Sequence, residues 1–108
     1  MQINILGMVY TVESKNLVFE QNDCGSCSPD RLLICVDQSL PPDKYNRVLF
    51  HEIIHAAMSE LGYKDDYADE RLVDNLALAL YQTLRDCGAL DMGCDVLKRT
   101  PRVVNGAS

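Results

Sequence analysis

The chain has 108 residues, of which 47% are hydrophobic and 24% are charged. This size and composition predict one globular domain over residues 1–98 with a flexible tail over 99–108, and they exclude an enzyme with separate cofactor and substrate domains. The net charge of -6 argues against nucleic acid as a partner, because binding to phosphates needs a basic surface.

The sequence offers no segment for membrane insertion or export. No apolar run approaches the roughly 20 residues that cross a bilayer, and the start, MQINILGMVY, lacks the basic region and cleavage site of a secretory signal. We therefore expect no membrane partner and a cytoplasmic location.

An odd number of cysteines without an export signal favours free thiols over a disulfide framework. The five are Cys24, Cys27, Cys35, Cys87 and Cys94. Cys24 and Cys27 have the C-x-x-C spacing of a zinc site, but no second pair with comparable spacing completes four ligands. The alternative interpretation is a Gly-Ser turn.

The first third of the chain predicts β-structure. Residues 3–12, INILGMVYTV, alternate loosely around Gly7, which predicts two short strands joined by a tight turn, or one strand with a glycine bend. Residues 13–30 are rich in turn formers and predict a loop, with one possible strand over 17–20. Residues 31–37, RLLICVD, predict a strand bounded by prolines on either side.

Two helices are predicted next. Pro41-Pro42 marks the entry of the first helix, because proline is tolerated only in a first turn, and Gly62 marks its end. The second is predicted to start from an N-cap at Asp65 or Asp66, run over 68–86 and stop at Cys87-Gly88. Residues 90–98 are compatible with a short third helix interrupted by Gly93.

The first helix carries the only two histidines of the chain, in the pattern His51-Glu52-Ile53-Ile54-His55. Four residues of helix separate the histidines by about 40° around the axis, so both imidazoles can reach one metal ion. Glu52 lies beside them without being a ligand, which is the position required of a general base. The alternative is a chance match on a helix that binds no metal.

A catalytic zinc keeps three protein ligands, and the second helix offers a third. Glu70 and Asp74 begin a stripe at helical spacing that is otherwise apolar: Val73, Ala77, Tyr81 and Leu84, with Leu72, Leu76 and Leu80 on an adjoining apolar flank. Acids on a stripe that faces the core are costly unless they are paired or bind metal. We therefore predict Glu70 as the third ligand, with Asp74 orienting a ligand histidine. The alternative is that both acids only complement the helix dipole.

The full pattern, His51-Glu52-x-x-His55 followed by Glu70-x-x-x-Asp74, resembles the gluzincin zinc peptidases. Together with I-x-I-L-G-x-x-Y-x-V, LFHEIIHA and ADERLVDNLALALYQTLRD, it resembles the small phage-encoded ImmA/IrrE-like metallopeptidases over residues 2–90. The resemblance implies an α+β, minimal zincin-like fold, in which a small twisted sheet packs on the active-site helix. It also implies that residues 31–37 form an edge strand along which a peptide substrate lies.

The resemblance further implies hydrolysis of a protein or peptide substrate with one zinc per chain. By position, His51, His55 and Glu70 are the metal ligands, Glu52 is the general base and acid, and Asp74 is the orienting group. No spacing selects an oxyanion donor among Tyr45, Tyr63, Tyr67 and Arg71. Two alternatives remain, a zinc-stabilised binding module without catalysis and an acidic interaction protein without metal.

Overall fold

A computed structural model describes residues 1–17, 24–63 and 69–88. The described part is α+β, with a four-stranded mixed sheet and two helices. The elements in chain order are β1 (Gln2–Ile5), β2 (Met8–Lys15), β3 (Gly25–Ser28), a 3₁₀ turn (Pro29–Arg31), β4 (Leu33–Asp37), α1 (Pro42–Glu60) and α2 (Glu70–Asp86).

The predicted N-terminal hairpin is confirmed in its two-strand form. β1 pairs antiparallel with β2, with Ile5 opposite Met8, which leaves a two-residue turn. Leu6 and Gly7 both have positive φ, 53° and 92°, as a type I′ hairpin turn requires. The side-chain oxygen of Asn4 accepts a hydrogen bond of 2.8 Å from the Gly7 amide and stabilises the turn.

The sheet order is β1-β2-β4-β3, with β2 parallel to β4 and β3 antiparallel to β4. The strand predicted over 31–37 is confirmed for Leu33–Asp37, whereas Arg31 belongs to the preceding 3₁₀ turn. Its predicted place at an edge is wrong. The prediction missed β3, because Gly-Ser-Cys-Ser has neither alternation nor β-branched residues. β3 lies within the predicted loop over 13–30. It pairs with β4, with Gly25 opposite Val36 and Ser28 opposite Leu33, and it occupies the edge of the sheet.

The predicted limits of α1 are confirmed. Pro42 occupies its first turn, and Gly62 follows the helix with φ of 84°, a left-handed conformation that ends it. α2 ends at the predicted Cys87-Gly88, where Gly88 has φ of 83°.

The predicted start of α2 is wrong. The helix begins at Glu70, capped by an Asp69 side-chain oxygen that accepts a hydrogen bond of 3.1 Å from the Leu72 amide. The candidate caps Asp65 and Asp66 lie outside the described residues, as do the predicted strand residues 18–20, the predicted third helix and the tail.

α1 lies between the sheet and α2. Its contact with the sheet forms the main core, whose buried members are Ile5, Tyr10, Val12, Ile34, Val36, Tyr45, Leu49 and Ala56. Its opposite side contacts α2 through a smaller buried cluster of Phe50, Ala77 and Tyr81. Leu49, Ile53 and Ala57 contribute to the sheet-side core, whereas Leu61 is exposed. A helix packed on two sides is held rigidly, which suits it to carry a site.

The stripe predicted on α2 is confirmed only at its centre. Val73, Ala77 and Tyr81 are buried and Leu84 packs against them. The adjoining leucines Leu72, Leu76 and Leu80 are exposed in the described structure. Among the described residues, no helix has both the length and the apolarity to cross a membrane.

Candidate metal centre

α1 holds His51 and His55 one turn apart on one face, at the end of the molecule where α2 begins. Their Nε2 atoms lie 3.1 Å apart, and the two rings meet edge to face. His55 is buried and His51 half-buried. Two ring nitrogens that converge in this way can share one metal ion.

α2 brings Glu70 to the same point from its first turn. One carboxylate oxygen, Oε2, lies 2.8 Å from Nε2 of His51, and the other, Oε1, lies 3.1 Å from Nε2 of His55. His51, His55 and Glu70 are the group of possible metal ligands that the described residues contain. The structure thus brings together the three residues that the sequence predicts as ligands.

The donor set fits a zinc ion. Zinc prefers imidazole nitrogen and carboxylate oxygen, and bonds of about 2.0–2.1 Å in a tetrahedron separate neighbouring ligand atoms by about 3.3–3.4 Å. The two Nε2 atoms are 3.1 Å apart, each Glu70 oxygen lies 2.8 or 3.1 Å from one of them, and one donor atom from each residue can be chosen within 4.8 Å of the others. A small movement would therefore accommodate the ion. Three ligands leave the fourth tetrahedral position for water or substrate.

Asp74 lies one turn after Glu70 on α2. Its Oδ1 is 3.5 Å from Nδ1 of His51, the ring nitrogen that does not point to the other ligands. This distance is long for a hydrogen bond, but the position is that of a group that orients a metal-bound imidazole.

The predicted burial of these two acids is wrong. The side chains of Glu70 and Asp74 are 69% and 63% exposed, because α2 begins at Glu70 and its first turn projects beyond the core. What brings them to the histidines is the packing of α2 on α1, rather than burial.

Glu52 lies on the sheet side of α1, is 7% exposed and lines the same cavity as the ligands. The neighbouring strand β3 approaches it closely at Gly25. A Cβ atom at Gly25 would lie 3.1 Å from Oε2 of Glu52 and 2.6 Å from Cγ1 of Val48. The absence of a side chain at Gly25 therefore leaves room for the carboxylate.

Cys27 lies two residues after Gly25 on β3 and packs against the core. Burial, and secondarily the negative charges of Glu52 and Glu60, raise the pKa of this thiol to about 12. The raised pKa opposes formation of the thiolate, the form of cysteine that reacts and binds metal. Because Cys24 and Cys27 are three residues apart in extended chain, their Cα atoms are about 10 Å apart, too far for a disulfide. The four described cysteines Cys24, Cys27, Cys35 and Cys87 are free thiols, as predicted, and Cys94 lies outside the described residues.

The site opens into a cavity of about 610 Å³ between α1, α2 and β3. Its lining includes the three ligands, Glu52 and Asp74, together with residues that were not predicted to belong to this site. Those are Cys24, Gly25, Ser26 and Cys27 of the β3 segment and Lys44, Arg47 and Val48 of α1. The helical spacing of Lys44, Arg47 and Val48 before His51 could have indicated the α1 residues. On β3 the C-x-x-C spacing of Cys24 and Cys27 was visible, but it did not connect that segment to the histidines.

None of the candidate oxyanion donors that the structure describes lines this cavity. The hydroxyl of Tyr45 lies 2.5 Å from the Ser14 hydroxyl, on the sheet side of α1, and Tyr63 is exposed outside the cavity lining. Arg71 does not line the cavity, and Tyr67 lies outside the described residues. An oxyanion donor other than the metal is therefore not found among the described candidates.

A scan against models of protein families, a search of curated proteins and a search of solved structures each find no match to this chain.

Proposed function

We propose that this protein is a zinc metalloendopeptidase. The observation that carries the proposal is the convergence of two imidazole Nε2 atoms and the Glu70 carboxylate within 3.1 Å of one another, beside a cavity that Glu52 also lines. Metal ligands alone would suit a structural zinc. A carboxylate next to the ligands, buried and facing the same cavity, is the additional group that hydrolysis requires.

The finer identity follows from the resemblance in the sequence. The fold is a minimal zincin, and the chain is a phage-encoded, ImmA/IrrE-like peptidase that acts on a specific protein in the host cytoplasm. The arrangement of a mixed sheet, a central helix with the H-E-x-x-H motif and a second helix with the third ligand supports this proposal.

In this function His51, His55 and Glu70 hold the ion, and Asp74 keeps the His51 ring in its ligating orientation. A zinc ion held by these residues would supply a Lewis acid that makes the attacking water more acidic. The Glu52 carboxylate accepts a proton from the attacking water and returns it to the nitrogen of the leaving amine. Its burial between α1 and β3 restricts the movement of the carboxylate, so that proton transfer needs little reorganisation.

The peptide substrate lies along β3 rather than along the strand over 31–37. The Asp37 amide donates to the Cys24 carbonyl over 2.8 Å, and hydrogen-bonded pairs alternate along an antiparallel ladder. Gly25 and Cys27 therefore turn their backbone amide and carbonyl groups away from β4. An extended peptide can add to this edge as a further strand, next to the Glu52 carboxylate.

The alternative is a binding module in which zinc only fastens α2 to α1. One observation favours it, because in the described structure α2 buries only Val73, Ala77 and Tyr81, so that a metal bridge would add substantially to its attachment. The two functions differ in whether they need Glu52.

The test combines metal content with hydrolysis. Elemental analysis of untagged protein is expected to find one zinc in the wild type and in Glu52→Gln, and none in His51→Ala or Glu70→Ala. Cleavage of a peptide mixture from a digested proteome is expected to fall at least about 100-fold in Glu52→Gln. No stoichiometric zinc after zinc is added back would overturn both functions. Zinc without cleavage that depends on Glu52 would leave the binding module.

A further inference from the structure

Two basic side chains line the cavity on one side of the metal ligands. Lys44 and Arg47 precede His51 on α1 by seven and four residues, and so lie on the same helix face. Along the helix axis their Cα atoms lie about 10.5 and 6 Å before that of His51. Both contribute to the wall of the cavity.

Neither of these cations forms an ion pair with any carboxylate that the structure describes. The described ion pairs join other groups, such as Arg85 with Asp43 and Lys15 with Glu13. The carboxylates of the cavity, Glu52, Glu70 and Asp74, gather instead around the ligand histidines or against β3. The cavity thus has a cationic end in a chain whose net charge is -6.

Arg47 is the better placed of the two for binding. It is half-buried, whereas Lys44 is exposed. A guanidinium that is partly removed from water binds a carboxylate through two parallel hydrogen bonds, and such charge-assisted pairs are stronger than neutral ones. A ligand group with a negative charge and two acceptor oxygens is the complement of this surface.

We propose that Arg47, assisted by Lys44, forms a subsite for a carboxylate of the substrate, so that the enzyme selects peptides by a negative charge near the scissile bond. This inference rests on the proposed function, because it assigns the charge to a peptide held beside the metal.

The direction of β3 determines on which side of the bond the carboxylate lies. Tyr10 hydrogen-bonds to Glu60 and Ser14, later on β2, to Tyr45, so β2 runs opposite to α1. β4 is parallel to β2, β3 is antiparallel to β4, and Gly25 at the beginning of β3 is beside Val48. β3 therefore runs in the same direction as α1, with its beginning towards Arg47. A peptide that adds in the more stable antiparallel direction points its C-terminal part towards Arg47. At about 3.4 Å per residue, the carboxylate belongs two or three residues after the scissile bond.

Such a carboxylate has two sources, the side chain of an Asp or Glu and the C-terminus of the peptide. Two probes distinguish them. One is an acetylated and amidated alanine hexapeptide with Glu at its fifth position, and the other is the same peptide with a free C-terminus and Gln at that position. The reference peptide has Gln and an amidated C-terminus.

Binding is measured by calorimetry on zinc-loaded Glu52→Gln protein, which cannot cleave the probes. The probe with the correct carboxylate is expected to bind at least about fivefold more tightly than the reference, and less so as salt is raised. Arg47→Gln is expected to abolish the difference. Arg31→Gln is the matched control, because Arg31 is exposed and outside the cavity lining.

A charge reversal tests the same point by gain of function. With Arg47→Glu, a probe that has Lys at the fifth position is expected to bind more tightly than the reference peptide. Equal binding of all probes, no binding of any probe up to millimolar concentration, or a preference that survives Arg47→Gln would overturn the subsite. These outcomes are separate from a failure of the proposed function, which would appear as missing zinc or as cleavage independent of Glu52.

Discussion

Gly25 determines how closely β3 approaches α1 and the Glu52 carboxylate. A methyl group at this position would meet Val48 at 2.6 Å, and the Cys35 carbonyl oxygen, which belongs to the sheet backbone, at 3.2 Å. Val48 is β-branched and has one strongly preferred rotamer in a helix, so its methyl group cannot easily turn away. The conflict at 2.6 Å is therefore relieved mainly by moving β3 away from the helix.

We expect Gly25→Ala to lower the free energy of unfolding by about 1–3 kcal/mol, as over-packing commonly does, and to reduce cleavage because the edge strand is displaced. Urea denaturation measures the first effect. Gly25→Ala combined with Val48→Ala should recover part of the loss, and Ser26→Ala on the same strand should change little. A Gly25→Ala protein as stable as the wild type would contradict the close approach.

The residues of the site differ in how far the sequence could predict them. His51, Glu52 and His55 belong to one helix, whose geometry is set by local hydrogen bonds, so their spacing alone predicts one shared face. Glu70 is on another helix, and its place depends on helix packing; the sequence indicated it through the resemblance and through a stripe whose predicted burial is wrong. Gly25 had no signal of its own, because its importance comes from Val48 and Glu52, which are distant in the chain. Arg47 is one helical turn before His51, and that spacing could have indicated it.

α2 is attached to α1 at both of its ends by polar contacts. At its first turn Glu70 contacts the histidines, and near its last turn the Tyr81 hydroxyl donates a 2.6 Å hydrogen bond to Oδ1 of Asp43, which also pairs with Arg85 at 3.0 Å. Between them the buried contact is small. The position of α2, and with it the third ligand, therefore depends on these end contacts.

Tyr81→Phe is expected to lower the free energy of unfolding by about 1–3 kcal/mol, because it removes a hydrogen bond to a charged acceptor while keeping the ring in place. Tyr63→Phe, at an exposed tyrosine, is the control and should have no measurable effect. Urea denaturation of both variants provides the comparison, and equal stability of the two would show that the Asp43 contact contributes nothing.

Helix ends were predictable where the local residues decide them. Pro42 and Gly62 delimit α1 through their own backbone restrictions, and Gly88 ends α2 in the same way. The start of α2 was misplaced because several acids in succession can each cap a helix. Asp69 is the residue that caps the helix, so Glu70 lies in the first turn, beside the histidines.

Zinc in this site would join the two helices of a small domain, so metal binding and folding should be coupled. At free zinc one hundred times its Kd, binding adds about 2.7 kcal/mol to stability, which corresponds to about 10 °C in Tm for a domain of this size. We expect excess chelator to lower the Tm of the wild type by this amount.

Glu70→Ala is expected to melt at the temperature of the chelated wild type and to be insensitive to chelator. Asp30→Ala, at an exposed acid outside the cavity lining, should respond like the wild type. Scanning calorimetry with and without chelator makes the comparison. A wild-type Tm that chelator leaves unchanged would count against an ion bound between the helices.

Local chemistry was sufficient for the hairpin turn at Gly7, for the strand over 33–37, for the limits of α1 and for the shared face of His51 and His55. Each depends on backbone sterics or on a periodicity confined to a few neighbouring residues. The order of the strands, the edge position of β3 and the meeting of Glu70 with the histidines were decided by tertiary structure. They depend on pairing and packing between distant segments, and β3 acquires its extended conformation from β4 and α1 rather than from its own residues.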